Sequence, residues 1–284
     1  MHNLIFCPDI ETVEKINTQL SWIGNLSSDG RPILGLDSEE LARIVFNTNH
    51  RAAIVPAHCW TPWYSVFGSM SGFNSLEECF GKYTDQIFAV ETGLSSDPQM
   101  NWRLSKLDKI SLISNSDSHS LQRIGREANI FDTELSYEAI IEAIKSRDPK
   151  KFLATVEFFP EEGKYHFDGH RLCNISFSPE ETKKHNGICP VCGRKLTIGV
   201  MNRVEELADR PSDYKDERRV PYYRLIPLDE VIAEAYKVGT AAKKVKDEYK
   251  KLIREFKNEF NVLLEVPIEN LMNVTDSQVA EGIK

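Results

Sequence analysis

The residues that could do chemistry lie mostly just past short apolar runs. Asp117-x-His119 follows Ile110-Ser-Leu-Ile-Ser114. A carboxylate and an imidazole two positions apart, leaving a strand, point to the same side of its pleat and suit a metal site. His58 follows Ala52-Ala-Ile-Val55 within Pro56-Ala-His58-Cys-Trp60-Thr61-Pro-Trp63, and Glu91 follows Ile87-Phe-Ala-Val90. An isolated Asp-x-His is a weak signal; its weight comes from polar residues recurring after successive strands. In α/β folds the strand ends share a face, so residues distant in sequence converge there.

A second constellation is local. His170-x-x-Cys173 is followed after 15 residues by Cys189-Pro-Val-Cys192-Gly193, the spacing of a tetrahedral zinc site. Three thiolates and one imidazole close the coordination sphere, so the site reads as structural. His166 and His185 compete as the fourth donor; the tight spacing to Cys173 favours His170. In small modules of this kind metal binding is worth about 10–16 kcal/mol of apparent folding free energy, so the segment is expected to depend on its metal.

The elements that must position these residues follow from periodicity and capping. His2–Cys7 reads as a strand. Asp9 caps a helix with Ile10, Val13, Ile16 and Leu20 at helical spacing. After a Gly/Ser-containing loop, Asp37-Ser-Glu-Glu40 is a capping box before Leu41, Ile44 and Val45. A short helix around Leu76–Phe80 stops at Gly81, Pro98 opens another carrying Trp102, and Tyr137, Ile140, Ile141 and Ile144 mark a further one. Phe152–Val156 reads as the last strand of the series. Strand–helix alternation predicts an α/β fold, a parallel sheet or β/α barrel, over residues 1–158. A small zinc-binding domain is expected over 159–215 and a helical region over 216–284. In the last, Lys243 to Phe260 keeps Val245, Tyr249, Leu252, Ile253, Phe256 and Phe260 on one side and Lys243, Lys244, Lys250, Lys251, Arg254 and Lys257 on the rest. That pattern suits a solvated face or contact with a phosphate backbone.

Composition sets the outer limits. The net charge of −8 over 284 residues excludes a generally basic coat but leaves room for a local basic face. No apolar run is long enough to span a membrane. Six cysteines without a small-scaffold disulfide pattern fit a reducing, cytoplasmic setting. No Gly-x-x-x-x-Gly-Lys-Ser/Thr loop and no Gly-x-Ser-x-Gly elbow is present.

Four motifs together, Pro56-Ala-His58-Cys-Trp-Thr-Pro-Trp63, Glu91-Thr-Gly-Leu-Ser95-Ser-Asp97, Ser114-Asn-Ser-Asp-Ser-His119 and Gly169-His-Arg-Leu-Cys173 with Ile188-Cys-Pro-Val-Cys192-Gly-Arg, resemble the endonuclease Q family. That family belongs to the PHP (polymerase and histidinol phosphatase) metallohydrolase superfamily. The resemblance extends through Asn202-Arg-Val-Glu-Glu-Leu-Ala-Asp-Arg210. It implies a distorted β/α barrel with a metal cluster at its strand ends, a zinc-binding domain and a helical C-terminal domain.

The implied activity is hydrolysis of the DNA phosphodiester 5′ to deaminated bases (uracil, hypoxanthine, xanthine) or abasic sites. The implied cofactors are structural zinc and divalent zinc, manganese or magnesium at the active site. The implied partners are lesion-bearing DNA and other repair or replication proteins, with the chain at the nucleoid when acting on DNA. By the same resemblance His2, His58, Asp117 and His119 are metal ligands. Trp60, Thr61 and Trp63 on the Trp60–Tyr64 loop, Ser95 on the Thr92–Ser96 loop, and Glu91 as a residue lining the site without binding metal, are candidates for the base pocket. The superfamily's His-x-His strand is absent from these 284 residues, so the chain reads as a fragment whose barrel lacks its first strands. Two other functions compete: a PHP phosphoesterase on a small phosphorylated metabolite, and a non-catalytic DNA-binding or helicase-accessory module.

Overall fold

The computed structural model describes residues 1–28, 32–216 and 218–284; residues 29–31 of the predicted Gly/Ser-containing loop lie outside the described residues. The chain forms two compact units, Met1–Tyr223 and Arg224–Lys284.

The first unit is built on short strands. β1 (Asn3–Phe6) leads into α1 (Ile10–Ser21), α2 (Ser38–Thr48) and β2 (Ala53–Pro56). Both helices start where a carboxylate satisfies an orphan amide, Asp9 accepting from Thr12 N and Asp37 from Glu40 N, each at 2.7 Å. β2 turns back antiparallel on β1, with Leu4 opposite Val55 and Ile5 opposite Ile54. After α3 (Leu76–Phe80) come β3 (Ala89–Glu91), α4 (Pro98–Trp102) and β4 (Ser111–Ile113). β3 and β4 run parallel, Glu91 opposite Ile113.

The chain then forms β5 (Ala128–Phe131), α5 (Tyr137–Ser146) and β6 (Phe152–Glu157). β5 pairs antiparallel with β6 through a register shift between Ile130 and Phe131. Here the structure corrects the sequence reading. β5 has no counterpart in the strand series expected from the sequence, and Phe152–Glu157 ends in an antiparallel pair. The expected parallel order holds for β3 and β4. The signal for β5 was Ala-Asn-Ile-Phe between Gly125 and Asp132, too short to give a period.

The metal-binding segment follows within the same unit. β7 (Asp168–His170) and β8 (Ile175–Phe177) form a small antiparallel ladder, followed by α6 (Pro179–Lys184) and α7 (Val200–Leu207). β9 (Tyr222–Arg224) is the third strand of the β5–β6 sheet.

The main core joins α1, α2, β2 and the loop after it through Ile16, Ile44, Ile54, Trp60, Phe67 and Phe80, with Val200 and Val204 of α7 packed into it. Burying each large apolar side chain stabilises the fold by about 1.5–3 kcal/mol. α7 is also held by Arg203, 7% exposed. Its guanidinium donates to the carbonyls of Phe67 and Phe73 and to Asn74 Oδ1 and pairs with Glu206. A buried guanidinium stays only with such partners.

The second unit is helical: α8 (Leu228–Ala235), α9 (Lys243–Phe256), α10 (Ile268–Met272) and α11 (Ser277–Ile283) enclose Leu228, Ile232, Val245, Leu252, Val262, Leu271 and Val279. α9 ends earlier than the expected Phe260, because Lys257 adopts a positive φ of 76°. Among the described residues, no helix is long and apolar enough to cross a membrane.

Candidate metal centres and the strand-end cavity

The parallel pair brings the ends of β3 and β4 together beside the end of β2. Cys59 N donates to the Glu91 carbonyl and Thr92 N to the Ile113 carbonyl, both at 2.9 Å. The turn after β2 sets His58 at a positive φ of 34°. A Cβ built on Gly93 would fall 2.8 Å from His58 Cβ, so this close approach requires glycine there.

Glu91, 3% exposed, locks the arrangement. One carboxylate oxygen accepts the His58 backbone N–H at 2.7 Å, the other the Asn115 side-chain amide at 2.8 Å. Burial pushes the Glu91 carboxyl up; the Asn115 and His58 hydrogen bonds pull it down, and nearby Asp117 adds to the rise. Asn129 fixes Asn115 in turn, donating to the Ser114 carbonyl at 2.7 Å and to Asn115 Oδ1 at 3.2 Å. Asn115 and Asn129 were missed in the sequence reading; amides carry no metal-site signal and matter here through a second layer of contacts.

A cavity of about 680 Å³ opens at these strand ends. His2, His58, Glu91 and Asp117 line it, together with Tyr64 and Asn115. His2 Nδ1 lies 3.0 Å from His58 Nε2, and His58 Nδ1 lies 2.8 Å from Thr61 Oγ1. Tyr64 stacks on the His2 ring at 5.1 Å. Asp117 is exposed at a positive φ of 43°. His119 is exposed too, but its Nδ1 faces the Asp117 carbonyl at 2.8 Å, within its own loop. Of the four expected donors, the two imidazoles of His2 and His58 and the carboxylate of Asp117 therefore line one cavity, and His119 is turned aside. Divalent cations accept imidazole nitrogen and carboxylate oxygen, so the donor types fit such an ion.

The predicted pocket residues separate. Trp60 is fully buried, donating to Asn101 Oδ1 at 2.8 Å and packing on Phe67. Thr61 supports His58. Trp63 is 40% exposed and lines a different cavity. Ser95 is half-buried beside the buried Ser96–Asp97 turn that starts α4.

Two more carboxylates of this unit are buried. Glu157 is fully buried, its oxygens accepting from Thr155 and Thr92 hydroxyls. Burial pushes its carboxyl up to about 7, against the pull of these two hydroxyls. Glu127 is driven well above the ordinary range by burial and by the charge of Glu157.

The second candidate centre is assembled. Donor atoms of His170, Cys173, Cys189 and Cys192 lie within 4.8 Å of one another. Of the histidines that compete in the sequence, His170 is the one beside the thiols; His185 stacks on Phe177 at 4.9 Å and buried His166 lies edge-on to Phe167 at 4.7 Å. Burial raises the Cys189 thiol, but the backbone N–H groups of Cys192 and Val191 outweigh it and hold it below the ordinary thiol range. Cys173 is pushed up to about 11 by burial and by its two sulfur neighbours. Such crowding suits a shared cation, which is what lets adjacent thiols ionise together.

Residues 227–284 match the family model of the MJ0043 C-terminal domain. The chain is 36% identical over 234 residues to MJ0043 of Methanocaldococcus jannaschii, covering 80% of this chain but 28% of that protein. It is 30% identical over 290 residues to YqxK of Bacillus subtilis, covering 99% of this chain and 67% of that one. Its structure superimposes on the lesion-specific endonuclease PfuEndoQ of Pyrococcus furiosus with a TM-score of 0.89 and 33% identity, covering the whole chain and 69% of that protein. It superimposes equally on an Endonuclease Q complex with a 27-mer duplex carrying an abasic lesion at the active site, with a TM-score of 0.88, 32% identity and 70% of that chain covered.

Proposed function

The chain belongs to the endonuclease Q family, and from that membership we propose that it is a metal-dependent DNA repair endonuclease, hydrolysing the phosphodiester 5′ to deaminated bases or abasic sites. The observation that carries this reading is the whole-chain match to a lesion-specific endonuclease. The cavity chemistry supports it.

In this proposal His2, His58, Asp117 and His119 hold divalent zinc, manganese or magnesium, with His119 turning from its loop into the cavity. A bound divalent cation supplies a water of lowered pKa and neutralises charge on the attacking and leaving oxygens of a phosphoryl transfer. The chain's own residues supply position. Glu91 fixes the backbone at His58 and the Asn115 amide at once, so the imidazole and the Ser114–Asp117 turn keep a set distance. Thr61 orients the His58 ring through Nδ1, leaving Nε2 toward the cavity. The His170, Cys173, Cys189 and Cys192 cluster holds zinc structurally, and the proposed setting is the cytoplasm, at DNA.

The test is nicking of duplexes containing one deoxyuridine, deoxyinosine or abasic site, with magnesium or manganese, by the purified protein. A single nick 5′ to the lesion, absent from undamaged duplex, is expected. Lesion-dependent binding without a nick would replace the endonuclease by an accessory DNA-binding role. Phosphate release from small phosphoesters with no effect on DNA would replace it by a metabolite phosphoesterase.

A further inference from the structure

The two ends of β4 open on different cavities. Its carboxyl end leads to Asn115 and Asp117 in the cavity described above, whereas its amino end, through Ile110 and Ser111, borders a second cavity of about 370 Å³. The end of α5 and the segment before β9 line that second cavity with Arg147, Arg218 and Arg219, beside Asp108 and Asp216. We infer that this cavity is a binding site for a phosphate dianion, free or as the monoester group of a small metabolite, with Arg147 as its principal donor. The inference is independent of the endonuclease reading, and the two cavities share no residue.

Charge carries the first part of the argument. Ion pairs alternate along Arg210, Asp108, Arg219, Asp216 and Arg218. Arg210 grips Asp108 through two hydrogen bonds of 2.7 and 2.6 Å, and Arg218 grips Asp216 through two of 2.9 and 3.1 Å. Arg219 reaches both carboxylates, Asp108 and, at 3.3 Å, Asp216. These guanidiniums hold both aspartates below the ordinary carboxylate range, Arg210 acting first on Asp108 and Arg218 first on Asp216. Both carboxylates are therefore ionised and already shared. Arg147 adds a fourth guanidinium, and it donates to the backbone carbonyl of Asp108, not to a carboxylate. Among the described residues the cluster thus sets four guanidiniums against two carboxylates, an excess that a doubly charged anion balances.

Geometry and backbone point the same way. A guanidinium carries five N–H donors in a planar fork, of which Arg147 spends one on the Asp108 carbonyl. That fork matches the oxygens of a phosphate in pairs. The cavity's two hydroxyls are engaged elsewhere, Ser111 donating to the Ile144 carbonyl and Ser146 to the Ala143 carbonyl, so the arginines supply the donors. Ile110, Leu112 and Val220 form an apolar wall. The volume is at the lower end of small-ligand pockets, room for a phosphate and a small organic group, whereas the backbone of a duplex needs a continuous groove. Arg147 also ends α5 in the left-handed region, at φ 54°, a position where glycine is usual. A long side chain kept in that conformation points to a task for the side chain.

The test is calorimetric titration of the purified protein with inorganic phosphate and, separately, with adenosine monophosphate, at constant ionic strength in chloride. The wild type is expected to bind one equivalent, and Arg147→Gly to bind at least about tenfold more weakly. Arg147→Lys should recover part of the loss, since an ammonium keeps the charge without the fork. Tighter binding of the nucleotide assigns the site to a monoester; equal or weaker binding assigns it to the free ion. Glycine suits the positive φ, so Arg147→Gly should unfold thermally no earlier than the wild type in phosphate-free buffer. Should it unfold earlier, Arg218→Ala decides, because that side chain is 87% exposed and its loss is expected to weaken binding about threefold without lowering the unfolding midpoint. No binding of either ligand by the wild type, undiminished binding by Arg147→Gly, or, in that second case, undiminished binding by Arg218→Ala would overturn the site.

Discussion

The two candidate metal centres differ in how their donors are brought together. In the knuckle, two short spacings and one 15-residue loop place His170, Cys173, Cys189 and Cys192 within 4.8 Å of one another. At the strand ends, His2, His58, Asp117 and His119 come from three separate strand ends, and only the first three line the cavity. A local chelate is specified by turns and carries its own geometry. A convergent site is specified by the packing of everything between its residues. The first should fail when a donor is removed, the second when a support is removed.

The sharpest way to break that contrast is Cys189→Ser. Cys189 is 1% exposed and bonded into the turn that holds Cys192. Loss of one thiolate from a closed site should release the metal and unfold the segment between β7 and α7, an effect on the scale of about 10–16 kcal/mol for metal-dependent modules. Metal analysis of the purified variant, with limited proteolysis across 166–198, reads it. A variant that keeps a full equivalent of tightly held zinc would remove this cluster as the structural centre.

Next in size is Trp60→Ala, expected to cost about 3–5 kcal/mol because the indole is fully buried and its N–H is satisfied by Asn101. Trp63→Ala, three positions on, should change stability by no more than about 0.5 kcal/mol. Urea unfolding of both variants checks the pair. Equal losses would mean that the loop is one packed unit and that Trp63 is not held out for a ligand.

This pair also shows what could be read from the sequence. Trp60, Thr61 and Trp63 look alike there, three residues of one aromatic loop; which indole enters the core depends on Asn101 and Phe67, 41 and 7 positions away in the chain. The capped helices at Asp9 and Asp37 were legible because a cap and a helical period are local. The His170–Cys192 cluster was legible for the same reason. β5 was not, because four residues give no period, and its antiparallel pairing is fixed by Phe152–Glu157 beyond an intervening helix. Glu91 was visible only as a residue after a strand. Its grip on His58 and Asn115 exists only once β2, β3 and β4 lie side by side.

A smaller effect separates support from stability. Glu157 is raised to about 7 by burial, whereas in the unfolded chain it titrates near the ordinary value of about 4.3. Between those values the folded state keeps a proton that the unfolded chain has lost. The favourable contribution is therefore full below about pH 4 and lost as pH rises to about 7. Glu157→Gln, neutral throughout, should match the wild type near pH 4.5 and exceed it at pH 8 by up to about 3 kcal/mol. Urea midpoints at the two values decide. A variant weaker than wild type at pH 8 would mean that the ionised carboxylate, held by Thr155 and Thr92, stabilises the fold.

The smallest expected change in stability tests the convergent site most directly. His119 is exposed and its Nδ1 faces only its own loop, so His119→Ala should shift stability by less than about 0.5 kcal/mol. Nicking of lesion DNA gives the other half of the answer. A large loss of nicking with unchanged stability would mean that the imidazole swings into the cavity when a cation and DNA are present, making His119 a ligand recruited on binding. Unchanged nicking would leave His2, His58 and Asp117 as the working donors and confine Asp117-x-His119 to its carboxylate. Either result sharpens the contrast with the knuckle. There, each donor is already in place; here, the fold has set the distances of His58 and Asn115 through Glu91 and left His119 facing its own loop.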